Sequence, residues 1–550
     1  MDRNWPYNFG LLPGVVAYNA AGASVTLGTL TLSGSLQNGV STSGTIIGAT
    51  LGSTITCNIP GITVNSAART YSGTPYTTGA IANGLVEALA GATNTPNSNP
   101  FTVAATDIPA AASRVAAWYA EDLVTAGLGN NATIGTPGVS PWVDRINGIS
   151  AVIGTGTPKL KTNAEGTFPS VLFSAAYLTA GQNATLMAAI NSKTYTIYVV
   201  AKNLLTASTA SFVCTSGTSN LFFKADGANL GTFSASSVPF TPTDGTSLFT
   251  AGLKGSFTGG GTDGTWVSDN HTIVNGCAVN GTAAALKAAT AASDFFIGGQ
   301  AGATGKYELL ELHIYPTCCT YADDIQFHKY VCDKYGKPYP WAALSYVPVL
   351  AGDSITNGTL CDTWSVSTPK IVADNLGLTW GQWINASTPA ISAASLLLKD
   401  AIYLAGLPAQ IGITTKIHEF EFVNALTHGA NSAQTVTAQQ NICNMYRGFG
   451  FNKIVLGTTL DYGNRTNTGA NSKSAFCAGL AALPAGTYDL LNPLHTDTNI
   501  GIDGAAPNTA IATTYFADNI AHPSGHAGWP GVQSGSYVLA GLMSTALAAV

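Results

Sequence analysis

The sequence VPVLAGDSITNG, residues 347–358, places Gly352, Asp353 and Ser354 directly after an apolar run. A short apolar run that ends in turn residues is typical of a buried strand. Taken alone, the turn is ordinary, because Asp and Ser often accept hydrogen bonds from backbone N–H groups at such positions. A catalytic role for Ser354 therefore depends on the rest of the chain.

The segment that follows alternates apolar strands with longer helical stretches. NKIVLGTTL, residues 452–460, is an example of the first kind, and AISAASLLLKDAIYLA, residues 390–405, is an example of the second. Strands that alternate with helices predict a parallel sheet with helical crossovers. Ligands of such sheets bind beyond the carboxyl ends of the strands, which is where Ser354 would lie.

The chain before residue 347 has a different pattern. Residues 20–105 alternate apolar and small polar residues in short runs separated by Gly, Asn and Pro, which predicts a small antiparallel β-sandwich. Residues 107–336 combine further strands with a final helix, and residues 337–346 form a linker rich in proline and aromatic residues. With residues 1–19 as an N-terminal segment, the sequence predicts a multidomain protein in which two β-sandwich domains precede an α/β domain.

Composition excludes several classes of function. Only 9% of the residues are charged, the formal net charge is −6, and no basic stripe is present, so we expect no nucleic-acid partner. The nine cysteines contain no CxxC pair, so they are expected to be buried thiols, and neither a metal nor another cofactor is predicted. No apolar segment is long enough to span a membrane, and no signal peptide of the usual kind is visible. The charge-poor surface favours an extracellular or virion-associated protein.

A nucleophilic serine needs a base, and YFADNIAHPSGHAGW near the C-terminus supplies one. His522 is the candidate base, and Asp518 stands four residues before it. The order serine, acid, histidine is one that catalytic triads adopt on unrelated folds, because their geometry and not their chain order defines them.

With these residues, the segment 347–550 resembles the SGNH hydrolases, also called GDSL-type esterases and lipases. The resemblance implies a flavodoxin-like α/β/α domain with a Ser-His-Asp triad that acts on ester bonds, with Ser354 as nucleophile, His522 as base and Asp518 as acid. It implies an oxyanion hole formed by the backbone N–H of Ser354, the backbone N–H of Ala390 and the side-chain amide of Asn424.

Four positions depart from the pattern of that family. Ala390 replaces a glycine in the block that begins with Asn385, Ala386 and Ser387, while Phe422 and Ala425 replace the Gly and Asp that flank Asn424. The last block usually reads D-x-x-H, but Asn519 stands three residues before His522. Either Asp518 reaches the imidazole through a one-residue bulge, or Asn519 orients the ring. His418, His428 and His526 are interpreted as surface or packing residues.

The earlier segments also resemble known modules. Residues 20–105 are similar to immunoglobulin-like β-sandwiches. Residues 107–336, with Trp118, a W-x-D turn at Trp142 and the phrase KYELLELHIY at 306–315, resemble concanavalin-A-like, laminin-G-like jelly rolls. Such domains often bind glycans on aromatic platforms, which Trp118 and Trp142 could provide. The alternative for both is core packing, because tryptophan is mostly buried in sandwiches.

Two classes of function follow from these patterns. The first is a serine esterase that removes O-acetyl or other short acyl groups from a polysaccharide or glycan. The second is a non-catalytic glycan-binding structural or adhesive protein, such as a phage tail or capsid-fibre component, which the altered blocks favour. The source, the acyl group and the oligomeric state are left open, with a homo-oligomer or a virion assembly among the alternatives.

Overall fold

The computed structural model forms two compact units, residues 1–104 and residues 105–550. Within the C-terminal unit, a pair of antiparallel sheets and a parallel α/β sheet belong to one compact body. The described residues are 27–550 with gaps at 28, 34–35, 38–41, 51, 60–61, 74–78, 90–96, 105–107, 110–112, 192–193, 203–208, 217–221, 227–228, 233–237, 240–247, 256–269, 283–292, 300–305, 359–360, 362–363, 390, 421–430, 461–471, 502–514, 516–522 and 524–533.

The N-terminal unit is built from two four-stranded sheets, β1-β3-β6-β5 and β2-β8-β7-β4. Their apolar side chains, such as Ile46, Ile55 and Leu85, form one core, because alternate residues of each strand face inward. The pairings are antiparallel except for the parallel pair β2 and β8. The strands are β1 Thr31–Leu32, β2 Leu36–Gln37, β3 Thr42–Ile47, β4 Thr54–Cys57, β5 Ile62–Asn65, β6 Thr70–Gly73, β7 Gly79–Ala88 and β8 Asn97–Ala104.

Among the described residues of the C-terminal unit, sixteen further strands make two antiparallel sheets whose apolar side chains share one core. One sheet has the order β10-β11-β14-β23-β16-β17-β18-β19, and the other has the order β12-β13-β24-β15-β20-β21-β22, with β9 also paired to β24. The strands are β9 Ala116–Tyr119, β10 Trp142–Val143, β11 Ser150–Thr155, β12 Lys159–Glu165, β13 Phe168–Ser174, β14 Tyr177–Gly181, β15 Thr196–Lys202, β16 Thr209–Thr215, β17 Phe222–Asp226, β18 Asn229–Thr232, β19 Val238–Pro239, β20 Phe249–Gly255, β21 Asn270–Val274, β22 Cys277–Thr282, β23 Phe295–Ile297 and β24 Lys306–Tyr315.

The second of these sheets is covered on both faces. In β15, Ile197 and Val199 face the opposing sheet, whereas Tyr198 and Val200 face a helix, Tyr321–Tyr335. A strand that is buried on both sides needs apolar residues at every position, which explains the continuous run TIYVVA. The short helices Ala120–Thr125 and Ala184–Asn191 precede this helix in the chain, so the three are named α1, α2 and α3.

Helix α3 has well-defined ends. Its N-cap Thr320 accepts a hydrogen bond from the backbone of Asp323, whose carboxylate accepts one from the backbone of Thr320 in return. At the other end, Gly336 has a φ of 64°, a left-handed conformation in which glycine avoids the strain of a Cβ. The local sequence thus determines both where the helix begins and where it ends.

Trp118 and Trp142 lie in the core of the paired sheets. Both side chains are 0% exposed. The indole N–H of Trp118 donates to the carbonyl oxygen of Trp142 at 3.2 Å, and that of Trp142 donates to the carbonyl oxygen of Tyr119 at 3.0 Å. A ring with no exposed face cannot stack on a sugar, so core packing, the alternative given above, is the role that the structure shows for both tryptophans.

The α/β part contains a five-stranded sheet with the order β26-β25-β27-β28-β29. All four pairings are parallel, as the alternation of strands and helices predicts. If these five strands are numbered 1 to 5 in the order in which they occur along the chain, their order in the sheet is 2-1-3-4-5, which is the order of flavodoxin-like folds. The strands are β25 Val347–Gly352, β26 Ile384–Asn385, β27 Thr415–Phe420, β28 Lys453–Gly457 and β29 Leu490–Asn492.

Helices cover both faces of this sheet. Two core clusters lie on its opposite sides, one formed with α6, α7, α8, α9 and the paired sheets, the other with α4, α5 and α10. The strands β25 and β27 are buried along their whole length, as parallel strands between two helical layers should be. The helices are α4 Ser354–Asn357, α5 Thr368–Asn375, α6 Ala393–Tyr403, α7 Leu407–Ile411, α8 Ser432–Gly448, α9 Lys473–Ala481 and α10 Gly535–Ala549.

The linker between the paired sheets and the α/β part is itself packed. The side chain of Trp341 is 1% exposed, and its indole N–H donates to the carbonyl oxygen of Ile411 at 3.2 Å. Lys329 of α3 donates to the carbonyl oxygen of Gln410 at 2.9 Å. These contacts join α3 and the linker to α7, so the C-terminal unit has a continuous interior.

Candidate active site

The sheet order identifies the edge at which a ligand would bind. Strand β25 has β26 on one side and β27 on the other, so the chain changes direction across the sheet at β25. In open α/β sheets, the crevice at this change of direction, beyond the carboxyl ends of the strands, is the usual binding site. Ser354 follows the carboxyl end of β25 after the intervening residue Asp353.

The turn that carries Ser354 is held by its two preceding residues. Gly352 has a φ of +140°, and a Cβ added to it would lie 2.1 Å from the carbonyl oxygen of Phe420 in β27. Only glycine fits this position, because a side chain would strain the backbone and collide with the neighbouring strand. Asp353 is the N-cap of α4, and its carboxylate accepts the N–H of Ile355 at 2.8 Å.

Ser354 is the first residue of α4 and is 8% exposed. The first N–H groups of a helix point out of it and do not take part in its internal hydrogen bonds. A serine in this position therefore carries its hydroxyl and its own backbone N–H at the same strand end. These are the groups that a nucleophile and an oxyanion donor require.

The segment after β26 is tied to α4 by side-chain hydrogen bonds. Asn385 donates from Nδ2 to Oδ1 of Asn357 at 3.0 Å, and its own Oδ1 accepts the backbone N–H of Ser387 at 3.2 Å. The backbone N–H of Thr388 donates to the carbonyl oxygen of Gly352 at 2.9 Å. The structure thus brings the block of Asn385, Ala386 and Ser387 beside the Ser354 turn. Ala390, the predicted oxyanion donor of this block, lies outside the described residues.

The end of β27 reaches the same turn. Thr356 of α4 donates from Oγ1 to the carbonyl oxygen of Phe420, the last residue of β27, at 3.4 Å. Residues 421–430 lie outside the described part of the chain, and they include the predicted oxyanion donor Asn424 as well as His428. The strand that leads to Asn424 therefore ends against the helix that begins with Ser354.

The predicted base and acid, His522 and Asp518, lie outside the described residues, as do Asn519 and His526. Pro523 is described, and its carbonyl oxygen accepts a hydrogen bond from Oγ of Ser536 at 3.5 Å. The same Oγ lies 3.2 Å from Sγ of Cys361, which follows α4 in the chain. The residue next to His522 thus contacts the start of α10, which in turn contacts the segment that follows the candidate nucleophile.

A buried group that the sequence analysis did not identify lies beneath the site. Glu419 of β27 is 0% exposed, and its Oε1 accepts a hydrogen bond from Nε2 of Gln439 at 2.9 Å. Its Oε2 has no hydrogen-bond partner among the described residues. Burial raises the pKa of Glu419 to about 8, and the carboxylates of Asp400 and Asp353 act in the same direction. Glu419 is therefore protonated at neutral pH.

The sequence gives only an indirect signal for Glu419. It is the one acidic residue of β27, and every residue of this strand is buried. His418 points the other way from the same strand, with Nε2 3.1 Å from Nδ2 of Asn492. Burial lowers the pKa of His418 to about 3, so it is a neutral packing residue, in agreement with its interpretation from the sequence.

Neither a metal centre nor a membrane helix is found in the part of the chain that the structure describes. No group of three or more His, Cys, Asp and Glu side chains is placed there to hold a metal ion. No helix there is long and apolar enough to cross a bilayer. The nine cysteines, all of them within the described ranges, are free thiols, and six of them are buried.

Comparison with known proteins gives structural matches only. No protein-family model matches the sequence, and no curated protein matches it. Among solved structures, a lipase/acylhydrolase from Enterococcus faecalis is 19% identical with a TM-score of 0.27, and the match covers 36% of this chain and 94% of that one. A member of the lipolytic G-D-S-L family from Veillonella parvula is 13% identical with a TM-score of 0.21, over 25% of this chain and 71% of that one.

A match of another kind is the sialidase of Trypanosoma rangeli. It is 12% identical with a TM-score of 0.29, and the match covers 42% of this chain and 34% of the sialidase. With TM-scores below 0.5, none of these matches assigns the chain to a family.

Proposed function

We propose that the protein is a serine esterase of the SGNH type that removes short acyl groups, in the simplest case O-acetyl groups, from a polysaccharide or glycan. The observation that carries the proposal is the position of Ser354. It follows a Gly-Asp turn at the carboxyl end of β25, at the point where the strand order 2-1-3-4-5 changes direction.

In the proposed reaction, His522 removes the proton from the hydroxyl of Ser354, whose oxygen attacks the ester carbonyl carbon. The negative charge on the carbonyl oxygen is stabilised by the N–H groups of Ser354 and Ala390 and the amide of Asn424. Collapse of this intermediate releases the alcohol, to which His522 returns the proton. Water then attacks the acyl-serine, again with His522 as base, and releases the carboxylic acid.

The residue that orients His522 is Asp518 in this proposal, with Asn519 as the alternative. An aspartate also stabilises the imidazolium that forms during the reaction, whereas an asparagine orients the ring without neutralising its charge. The glycan part of the proposal is supported by the resemblance of residues 107–336 to glycan-binding jelly rolls.

The test is hydrolysis of p-nitrophenyl acetate by the wild type and by Ser354→Ala. Removal of the nucleophile is expected to lower kcat by at least about 10³-fold, since the attacking oxygen is lost. Ser474→Ala, an exposed serine of α9, is the matched control and should retain wild-type kcat. Circular dichroism of all three proteins checks that they are folded, and an acetylated polysaccharide is the next substrate.

A second candidate function is favoured by the departures at Ala390, Phe422, Ala425 and Asn519 from the usual blocks. It is a glycan-binding structural protein without turnover, such as a fibre component. Equal inertness of the wild type and Ser354→Ala toward both substrates would reject the esterase and support this candidate.

A further inference from the structure

A pocket of about 470 Å³ lies where the paired sheets, α3 and the linker meet. We name it the junction pocket and define it by Glu165, Lys202, Phe249, Val331, Lys337 and Pro340. We propose that the junction pocket binds an acidic saccharide, with Lys202 and Lys337 holding the sugar carboxylate. Its volume falls within the range of small-ligand sites, roughly 300–1,000 Å³.

The charges in the junction pocket favour an anion. Glu165 pairs with both lysines, through Oε2 to Nζ of Lys202 at 2.9 Å and through Oε1 to Nζ of Lys337. Among the described lining residues, these three side chains are the charged ones, because burial lowers the pKa of the third base, His328, to about 3. Two ammonium groups against one carboxylate leave one positive charge.

Within the described part of the chain, the contacts of the two lysines leave some of their N–H donors unused. Each ammonium group has three N–H donors. Lys202 uses two of them, on the carbonyl oxygen of Ala164 and on Glu165, while Lys337 contacts Glu165. The side chain of Lys337 is 42% exposed, so its ammonium group can turn toward a ligand without losing a buried contact. A ligand carboxylate could accept from both lysines beside Glu165.

The remaining walls suit a sugar ring. Leu248, Pro338 and Pro340 are half-buried or exposed and offer apolar surface for the C–H faces of a pyranose, and small-molecule sites usually combine such surface with a few polar groups. Thr250 and Asn275 add polar groups at the same wall. Thr250 Oγ1 lies 2.9 Å from Nδ1 of His328, and Thr250 N donates to Oδ1 of Asn275 at 3.2 Å. These contacts hold the wall in place.

The junction pocket shares no described lining residue with the candidate active site. The linker residues Lys337 and Pro340 precede the amino end of β25, whereas Ser354 follows its carboxyl end. The junction pocket is thus an accessory site, and its occupancy does not depend on the proposed esterase activity.

Isothermal titration calorimetry of the full chain tests the proposal, with glucuronate as the probe. Three compounds serve as controls: glucose lacks the carboxylate, acetate lacks the ring, and inorganic phosphate is an anion of another kind. We expect glucuronate to bind at least about tenfold more tightly than the other three, because only glucuronate combines the carboxylate with the ring. Lys337→Met should weaken glucuronate binding about tenfold or more, since a charge-assisted hydrogen bond is lost.

Two further variants sharpen the result. Lys453→Met is the matched control, because Lys453 is also 42% exposed and paired with a carboxylate, that of Asp489. It should bind glucuronate like the wild type. Glu165→Gln removes the internal competitor for the lysines and should bind glucuronate as tightly as the wild type or more tightly. Thermal melting checks that each variant is folded.

The proposal is overturned if glucuronate binds no better than glucose or phosphate, or if Lys337→Met binds it as the wild type does. The same titration with Ser354→Ala separates the two sites. Retained binding by that variant is expected, and it supports the junction pocket whether or not the wild type hydrolyses esters.

Discussion

Asp353 and Glu419 are both buried carboxyl groups close to the candidate nucleophile, but their surroundings differ. Asp353 accepts the N–H of Ile355 and so fixes the start of α4. Glu419 receives one hydrogen bond from an uncharged amide of Gln439, and its pKa is raised to about 8. At the residue scale, the carboxylate of Asp353 therefore fixes the turn by a hydrogen bond, whereas the carboxyl group of Glu419 is neutral and buried in the sheet.

Glu419→Gln tests this assignment through the pH dependence of stability. The folded-state pKa of about 8 lies above the ordinary value of 4.5, so the folded protein holds this proton more tightly than the unfolded chain does. The resulting stability is fully present below about pH 4.5 and is lost as pH rises toward 8, by up to about 1.4 kcal/mol per pH unit. The glutamine side chain of the variant is neutral at every pH, so the variant does not lose this stability as pH rises.

The measurement is the free energy of unfolding from denaturant titrations at pH 5, 6, 7 and 8. Relative to the wild type, Glu419→Gln should gain stability steadily, by about 2–4 kcal/mol across that range. Ser474→Ala, at an exposed uncharged residue of α9, is the control and should give a curve parallel to that of the wild type. A parallel curve for Glu419→Gln as well would contradict a raised pKa.

At the scale of elements, the junction of β25 and α4 depends on a close approach between backbone segments. Gly352 contacts Phe420 of β27, Thr356 donates to the same carbonyl oxygen, and the segment after β26 donates to Gly352. The three strand ends are thus fixed to one another by main-chain groups. This arrangement holds Ser354 on a rigid support, which a nucleophile needs.

Gly352→Ala should disrupt this junction. The added Cβ would lie 2.1 Å from the carbonyl oxygen of Phe420, and the backbone φ of +140° is one that L-residues rarely adopt. We expect the free energy of unfolding to fall by about 3 kcal/mol or more, together with a loss of activity toward p-nitrophenyl acetate.

Gly541→Ala is the matched control for that variant. Gly541 lies within α10, and an added Cβ would meet nothing within 4 Å. Alanine should raise stability there by about 0.5–1 kcal/mol, because it favours the helix. Thermal and denaturant unfolding measure both variants, and an equal response of the two would refute the close approach at Gly352.

At the scale of the whole molecule, the C-terminal unit has one continuous interior, although its sequence divides into a sandwich-like part and an α/β part. Tyr321 and Ile325 of α3 belong to the same apolar cluster as Ile411 of α7 and Val349 of β25. Trp383, just before β26, belongs to the core of the paired sheets. Each part thus buries apolar side chains of the other.

A fragment of residues 347–550 is therefore expected to be poorly folded on its own. It would expose the apolar surface that α3 and the linker cover, including the faces of Leu407 and Ile411. We expect aggregation in gel filtration and no cooperative melting, because exposed apolar patches of this kind promote association. The fragment 105–550 should melt cooperatively. A monomeric, cooperatively melting fragment 347–550 would show that the two parts are independent.

The sequence by itself determined the features that depend on neighbouring residues. The continuous apolar runs of β15 and β25, the capping box and glycine stop of α3, and the Gly-Asp-Ser turn after a strand are all encoded locally, because periodicity and turn chemistry act over a few residues. The alternation of strands and helices likewise predicted the parallel sheet. It also placed Ser354 at a strand end.

Only the tertiary structure decided the features that depend on residues far apart in the chain. The burial of Trp118 and Trp142 follows from two sheets that close over them, and the raised pKa of Glu419 follows from helices that exclude water and bring Asp400 near. The junction pocket likewise combines β12, β20, α3 and the linker. Burial and electrostatic interaction depend on distance in space, and no local pattern of residues specifies that distance.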